Sequence, residues 1–217
     1  MSLIKTFNDY LDGEQEKRKD RVSSGKMTPS GFGQCYRRQI YKIKRYEQTN
    51  PADLPSIKRM LLGTVVHETI QRAFPNKTEV PIENEYLKGY ADIVGEDYVA
   101  DIKTINPYAF KWIQKTKDIK EDKKDAWLQV ATYGFLLKKD YVSLLFVSTG
   151  DFNKMEEFTF PTETFKNKVM AEIKEVHTWM KLKELPPQKP RLYGEDKDGN
   201  PKECQYCAYK DLCKGGK

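Results

Sequence analysis

The chain has 217 residues and a formal net charge of +6, from 38 Lys and Arg against 32 Asp and Glu. This length fits one ordinary domain better than two, and its 3 Trp, 13 Tyr and 10 Phe exclude a disordered chain. No apolar run approaches the roughly 20 residues of a membrane span, and no apolar signal region follows the amino terminus. We therefore expect a cytoplasmic protein without a membrane partner.

The predicted elements alternate between helical and strand patterns along the chain. Helical patterns occur in five segments, the first of them followed by a loop: 1–30, 33–46, 56–74, 124–138 and 162–184. Strand patterns rich in Val, Ile and Tyr occur between these helices: 79–94, 98–105, 141–148 and 155–160. We expect three strands before the 124–138 helix and two after it. The order predicts a mixed α/β fold, with a central mixed sheet flanked by helices.

The 56–74 segment is the clearest early helix. Ser56 is a suitable amino-terminal cap, and Pro75 ends the segment. Its apolar residues form one predicted stripe: Ile57, Leu61, Leu62, Val65, Val66, Ile70 and Phe74. We expect this stripe to face the core.

A hairpin at 89–103 carries the first candidate site. If its turn is centred between Glu96 and Asp97, Asp92 lies directly opposite Asp101, and Lys103 shares the face of Asp101. Two facing carboxylates destabilise a sheet unless positive charge lies between them, and hard oxygen ligands suit Mg²⁺ or Mn²⁺. Lys103 is then placed to orient water for attack on phosphorus, or to neutralise developing charge. The alternative is an exposed hairpin with solvated side chains.

Two further polar pairs lie on predicted helices. Gly63 and His67, and Gln129 and Tyr133, are each four residues apart, so each pair shares one helix face. A glycine one turn before a histidine leaves room for a metal or a phosphate beside the ring. The alternative for His67 is an ordinary hydrogen-bonded core histidine.

Taken in chain order, four short motifs resemble those of the PD-(D/E)xK nucleases of the RecB-like branch: Gly63-x-x-x-His67, Gly89-x-x-Asp92, Asp101-x-Lys103 and Gln129-x-x-x-Tyr133. The resemblance implies a restriction-endonuclease-like core at about 57–160 in a single domain, 1–217. It implies metal ligation by three side chains and one backbone carbonyl: His67, Asp92, Asp101 and Ile102. It implies a catalytic group made of Lys103, Asp101, Asp92, Gln129 and Tyr133. Many relatives have Glu where this chain has Asp101.

Four cysteines form a second candidate site. Cys204, Cys207 and Cys213 cluster at the carboxyl end, and Cys35 lies far upstream. In a reducing cytosol such cysteines are typical of metal ligands rather than disulfides, and zinc is one alternative. The pattern resembles that of iron–sulfur nucleases: the CRISPR-associated exonuclease family, the nuclease domain of the AddB helicase subunit and related phage enzymes. The resemblance implies a structural [4Fe-4S] cluster that joins segments 1–56 and 161–217.

The resulting hypothesis is a Mg²⁺- or Mn²⁺-dependent DNA exonuclease acting on single strands or duplex ends. The family resemblance implies 5′ to 3′ digestion of single-stranded DNA. Basic segments at 36–45 and 111–124 are candidates for backbone contacts, with Tyr108 or Trp112 available for stacking. The candidate DNA contacts in these segments are Arg37, Arg38, Lys111 and Lys115. The alternative for both segments is a solvated helix face.

Two biological settings fit this hypothesis. One is CRISPR spacer acquisition, with the CRISPR integrase as partner, and the other is phage or mobile-element recombination, with a helicase or recombination partner. Alternatives from other functional classes are a non-catalytic iron–sulfur DNA-binding subunit and a zinc-stabilised interaction module of a larger complex.

Overall fold

The computed structural model describes residues 2–19, 23–116 and 119–215. Within these ranges the helices are α1 (Leu3–Lys19), α2 (Tyr36–Ile43), α3 (Leu54–Gln71), α4 (Pro107–Thr116), α5 (Ile119–Asp122), α6 (Lys124–Leu136), α7 (Lys166–Lys181), α8 (Lys202–Gln205) and α9 (Lys210–Gly215). The strands are β1 (Thr78–Glu83), β2 (Lys88–Val94), β3 (Tyr98–Ile105), β4 (Tyr141–Ser148) and β5 (Met155–Pro161). The predicted elements occur in the predicted order, and the structure adds α4 and α5 between β3 and α6 and α8 and α9 after α7.

The five strands form one sheet in the order β1-β2-β3-β4-β5. Neighbouring strands are antiparallel except β3 and β4, which are parallel. A parallel pair needs a long crossover, and α4 to α6 supply it. The predicted central mixed sheet is therefore confirmed.

The β2–β3 hairpin has the predicted register. Ile93 pairs with Ala100 and Val94 with Val99, and the Gly95 N–H donates to the Tyr98 carbonyl at 2.8 Å. The tight turn determines this register, and a shift by one residue would move every side chain to the opposite face. Asp92 and Asp101 are the next residues on the two strands, just beyond these pairs, and the Asp92 carboxylate accepts a hydrogen bond from the Ile102 N–H.

Hydrophobic residues are buried on both faces of the sheet. The larger core contains Val99 and Phe146 from the sheet together with Trp127 of α6 and Val169 of α7. A smaller cluster on the other face contains Val66 of α3 and four sheet residues: Ile93, Ala100, Ile102 and Val147. The sheet therefore lies between α6 and α7 on one side and α3 on the other.

Helix α3 differs from its prediction in two respects. Asp53 caps it, since the Asp53 carboxylate accepts a hydrogen bond from the Ser56 N–H at 2.9 Å, so the prediction of Ser56 as the cap is wrong. The apolar stripe is only partly buried: Ile57 and Val66 are covered, whereas Leu62 and Val65 are 42% and 50% exposed. The smaller core covers only a narrow face of the helix, because α3 lies on the side of the sheet away from α6 and α7. No helix in the described ranges combines the length and the hydropathy needed to cross a bilayer.

Candidate functional site

Asp92 lies at the end of the paired part of the hairpin, beneath α3. Its Oδ2 accepts a hydrogen bond from the Ile102 N–H at 2.8 Å and lies 3.3 Å from His67 Nδ1. The carboxylate thereby satisfies a β3 backbone amide and holds the imidazole of α3 against the hairpin. The structure therefore brings the predicted ligands His67, Asp92 and Ile102 together.

Asp101 and Lys103 lie side by side on β3. The Asp101 side chain is completely buried, and its Oδ2 lies 2.8 Å from the Lys103 ammonium. Lys103 also donates to Gln129 Oε1 on α6 at 3.0 Å. Neither Asp101 oxygen receives a hydrogen bond of good geometry from the described residues. The ion pair with Lys103 is therefore the main interaction that offsets the cost of burying the Asp101 charge. A buried carboxylate in this state favours a further cation beside it.

Tyr133 reaches the site because residue 89 is glycine. A Cβ at Gly89 would lie 2.8 Å from Tyr133 Oη and 3.1 Å from Pro29 Cδ, which is closer than unbonded atoms pack. The hydroxyl of Tyr133 therefore fits against β2 only where no side chain stands. This contact gives a physical reason for the glycine in the Gly89-x-x-Asp92 motif.

Gly63 allows α3 to pack closely on the sheet. A Cβ on Gly63 would lie 3.1 Å from Thr104 Oγ1, so the missing side chain lets α3 approach β3 and brings His67 to the hairpin. The expectation that Gly63 also leaves room for a metal or phosphate beside His67 stays a prediction.

The site perturbs the pKa values of its ionisable groups. Burial, followed by the charge of Asp101, raises the pKa of Asp92 from 3.8 to about 7. Burial lowers the pKa of His67, although Asp101 partly opposes this. Burial by itself would lower the pKa of Lys103. The charge and hydrogen bond of Asp101 outweigh burial, so the pKa of Lys103 is raised. Burial and the two carboxylates raise the pKa of Tyr133. Lys103 therefore remains cationic at neutral pH.

Glu79 is a functional candidate that the sequence analysis missed. The β1–β2 register pairs Thr78 with Ile93 and Val80 with Ala91, so the intervening Glu79 lies near Asp92. Its charge contributes to raising the pKa of Asp92. Cross-strand counting would have found Glu79, but the 79–94 pattern does not mark which residues form the turn between β1 and β2.

Gln71 of α3 connects Glu79 to the site. Its amide donates to Glu79 Oε1 at 2.8 Å and to the Asp92 carbonyl at 3.1 Å. Glu79 also has a φ of +50°, in the left-handed region that side-chain-bearing residues seldom adopt. The third acid is thus held beside the hairpin by a specific hydrogen bond.

The donor set fits a hard divalent cation that keeps part of its water. Among the described residues, no three His, Cys, Asp or Glu side chains converge on one point as they stand. Mg²⁺ does not require this, since it is commonly bound through one or two carboxylates, several waters and substrate phosphates. Asp92, Asp101 and the Ile102 carbonyl would hold such an ion, with His67 beside them. The buried, poorly compensated oxygens of Asp101 are the observation that supports this fit.

The four predicted cysteine ligands come together at the amino-terminal end of α2, where Cys35 precedes the helix. Cys35, Cys204, Cys207 and Cys213 all line one small cavity of about 30 Å³, and all are free thiols. Burial, followed by neighbouring cysteines, raises the pKa of Cys204, and burial raises that of Cys207. The candidate ligands are therefore four cysteine sulfurs, the ligands that iron–sulfur clusters and many structural zinc sites use.

Two buried glutamates hold the terminal segments around these cysteines, and neither was identified from the sequence. Glu203 accepts from the backbone N–H groups of Cys35, Arg191 and Leu192 at 2.7, 2.6 and 3.1 Å. Glu172 forms a double contact with the Arg191 guanidinium at 2.8 Å and accepts from the Gly33 N–H at 2.9 Å. The two ends of the chain are thus joined by hydrogen bonds as well as by the cysteine cavity.

The predicted DNA contacts have different surroundings. The Arg37 guanidinium donates to the Pro186 carbonyl at 2.7 Å and to Cys213 Sγ at 3.8 Å, so it faces the carboxyl-terminal segment. Arg38 lines a separate cleft, while Lys111 and Lys115 are exposed on α4. Residues 117 and 118 of the basic 111–124 segment lie outside the described residues. The roles of all four side chains in DNA binding remain predictions.

The aromatic candidates for base stacking also lie on α4. Tyr108 is 79% exposed, and Trp112 is half exposed with its indole N–H donating to Asp122 Oδ2 at 3.1 Å. Tyr108 therefore has its ring free to solvent, whereas Trp112 is oriented by a hydrogen bond.

No protein-family model matches the sequence, and no curated protein matches it either. Solved structures do match. The protein SSO0001 aligns with a TM-score of 0.62 at 18% identity, over 98% of this chain and 96% of its own. An alkaline exonuclease from Laribacter hongkongensis aligns with a TM-score of 0.56 at 13% identity, over 76% of this chain and 92% of its own. The same enzyme in complex with dAMP gives 0.51 at 13% identity, over 75% and 90%. The chain therefore has a mixed α/β fold that resembles nuclease folds.

Proposed function

We propose that this protein is a Mg²⁺- or Mn²⁺-dependent DNA exonuclease of the PD-(D/E)xK type, acting on single strands or duplex ends. The observation that carries the proposal is the convergence of six predicted side chains from three parts of the fold: His67, Asp92, Asp101, Lys103, Gln129 and Tyr133. The fold similarity to an alkaline exonuclease, which also has a structure with dAMP, supports DNA as the substrate.

The side chains of the site have separable roles in phosphodiester hydrolysis. A bound Mg²⁺ or Mn²⁺ supplies Lewis-acid polarisation of the phosphoryl group and activation of water. Asp92 and Asp101 provide the negative charge that holds the ion. Lys103 stays protonated beside Asp101, where its ammonium donates hydrogen bonds to the attacking water or to the charge that develops on phosphate oxygen.

The helical residues keep these groups in position. Gln129 accepts a hydrogen bond from Lys103 at 3.0 Å, which fixes the direction of the ammonium. Tyr133 has a raised pKa and therefore stays a neutral phenol. It can donate its proton in a hydrogen bond to a phosphate oxygen but does not act as a base near neutral pH.

We further propose that the four cysteines hold a [4Fe-4S] cluster. The four cysteines line one cavity, and their pattern along the chain resembles that of iron–sulfur nucleases. These two observations support the cluster, so anaerobically purified protein should be brown and contain iron. Zinc without iron in such protein would contradict this proposal.

We base the direction of strand digestion and the biological setting on the sequence resemblance alone. It favours 5′ to 3′ digestion, in spacer acquisition beside a CRISPR integrase or in phage or mobile-element recombination beside a helicase or recombination partner. Digestion of strands labelled at either end, followed by binding assays with these partners, tests each point.

The nuclease proposal is tested with Asp101→Asn and Lys103→Ala on a labelled single-stranded oligodeoxynucleotide in Mg²⁺ or Mn²⁺. Each should reduce cleavage by at least about 100-fold, because charge stabilisation of the transition state is lost. The matched controls are Asp151→Asn and Lys154→Ala, which remove another Asp–Lys ion pair, 3.2 Å long and exposed. Unchanged cleavage by the site variants would refute the assignment. DNA binding without cleavage by the unmodified protein would instead support the non-catalytic subunit.

A further inference from the structure

A polar cleft of about 720 Å³ lies apart from the metal-binding residues. Its walls are α2, the 48–53 loop with the first turns of α3, and the 205–209 segment that carries Cys207. The volume is within the range of ligand clefts in proteins. None of the proposed catalytic side chains lines it, so its chemistry is separate from that of the hairpin.

The cleft has an excess of positive charge. Three basic side chains line it, Arg38, Lys42 and Arg59, against one acid, Asp53. Asp53 is engaged as the cap of α3. Lys42 and Arg59 donate to neutral hydroxyls, at 3.4 Å to Thr28 and 2.8 Å to Ser56. These hydroxyls do not neutralise their charges, so the cleft attracts an anion.

Lys42 lies beside another of these cations, Arg38. The residue is exposed, and its ammonium lies in the cleft, 3.4 Å from the Thr28 hydroxyl. There, burial and the neighbouring Arg38 charge lower its pKa. An anion bound between the two would relieve this repulsion.

Helix α3 connects the cleft to the proposed catalytic site. Arg59, Gly63 and His67 follow one another at intervals of four residues, so they lie near one face of the helix. At 1.5 Å per residue, Arg59 and His67 are separated by about 12 Å along the axis. A stacked strand advances about 3.4 Å per nucleotide, so this distance corresponds to about four phosphates.

The Thr28–Gly31 segment also connects the cleft to the proposed catalytic site. Thr28 and Gly31 line the cleft, and Pro29 between them lies against the position where Gly89 meets Tyr133. The segment that forms one wall of the cleft therefore also packs against the catalytic site through Pro29. A ligand that occupies both must be long and carry repeated negative charge.

The cleft also offers an aromatic surface. Tyr206 lines it and is 72% exposed, with amide side chains of Gln34 and Gln48 nearby on the same lining. A phenol ring with an exposed face stacks on any base, and such stacking is tolerant of sequence. Basic groups with an adjacent aromatic ring are the combination that binds single strands.

We infer that this cleft binds single-stranded DNA a few nucleotides from the reacting phosphodiester, with Arg38, Lys42 and Arg59 on the backbone and Tyr206 on a base. The inference rests on the proposed nuclease function and assigns the path of its substrate. A single strand is the form that fits, because its unpaired bases leave their faces open to Tyr206, whereas the bases of a duplex are already stacked on one another.

The test compares Lys42→Gln/Arg59→Gln with a control of equal charge change, Lys174→Gln/Lys197→Gln, whose lysines are exposed elsewhere. Binding of a long single-stranded oligodeoxynucleotide is measured by fluorescence anisotropy without divalent metal, over a range of salt concentrations. Because each phosphate contact contributes about 0.7 to the slope of log affinity against log salt, the cleft variant should lower that slope by about 1.4. Tyr206→Ala should weaken binding roughly tenfold.

Cleavage assays then separate the cleft from the catalytic site. The cleft variants should raise KM for the long strand but leave kcat/KM unchanged for a deoxytrinucleotide, which is too short to reach Arg59. An unchanged salt slope, an equal loss on the trinucleotide or tighter binding of a duplex of equal length would overturn the inference. If the unmodified protein cleaves neither substrate, the nuclease proposal fails, while the anisotropy data still decide whether the cleft binds the strand.

Discussion

Replacing Asp92 by asparagine should change how the stability of the metal-free protein depends on pH. The asparagine keeps the size of the side chain, and its amide oxygen can still accept the hydrogen bond from the Ile102 N–H. The substitution therefore removes the ionisable proton and little else. Any change in pH dependence then reports on the buried carboxylate pair of Asp92 and Asp101.

The direction in which stability changes with pH follows from the pKa of Asp92. Burial and the Asp101 charge raise it to about 7 in the folded chain, against about 3.9 when unfolded. The folded state thus binds the proton more tightly, and this contribution to stability is complete below about pH 4 and is lost as the pH rises through about 7. His67 has a lowered pKa and loses stability in the opposite direction, below its usual 6.5. Because Asp92 contacts His67, the comparison is made above pH 7, where the imidazole is neutral in both proteins.

The expected change in the free energy of unfolding is about a few kcal/mol. A tenfold difference in proton affinity corresponds to about 1.4 kcal/mol, so complete ionisation of Asp92 removes up to about 4 kcal/mol from the free energy of unfolding. For a domain of this size, this corresponds to a difference of roughly 10 °C in melting temperature. Asp92→Asn should therefore gain stability over the unmodified protein as the pH increases.

Thermal melts in chelator, at a series of pH values, measure this difference directly. Mn²⁺ added above pH 7 should restore the stability of the unmodified protein by compensating the ionised pair, but should have little effect on the variant. Asp151→Asn is the control, since Asp151 is an exposed carboxylate whose pKa is lowered. If the difference between Asp92→Asn and the unmodified protein stays constant with pH, Asp92 and Asp101 are not a strained, buried pair and the reasoning fails.

Two further substitutions test the packing of the two sites. Gly89→Ala should cost about 1–3 kcal/mol and reduce cleavage, because its Cβ displaces Tyr133; Gly13→Ala, in open space on α1, should instead stabilise the helix by up to about 1 kcal/mol in the same melts. Glu203→Gln should cost about 1–3 kcal/mol and lower the iron content, because its amide cannot accept from all three backbone N–H groups that the carboxylate serves. Iron retention at the unmodified level would contradict a role for Glu203 in positioning Cys35.

The sequence alone determined those parts of the catalytic site whose geometry is local. The turn at 95–97 predicted the β2–β3 register, and with it the proximity of Asp92 and Asp101. A spacing of four residues put Gln129 and Tyr133 on one face of α6. In each case backbone geometry fixes which side chains are neighbours, whatever the rest of the chain does.

Tertiary structure decided the features that depend on contacts between distant segments. Glu79 lies near Asp92 only because β1 turns back onto β2, and Gly63 adjoins Thr104 only because α3 crosses the sheet there. The exposure of Leu62 and Val65 has the same origin, since helical periodicity marks an apolar face but does not tell how much of it another element covers. Likewise, Glu203 is buried because both ends of the chain meet around it. Such contacts arise from packing between elements, and local spacing carries no information about them.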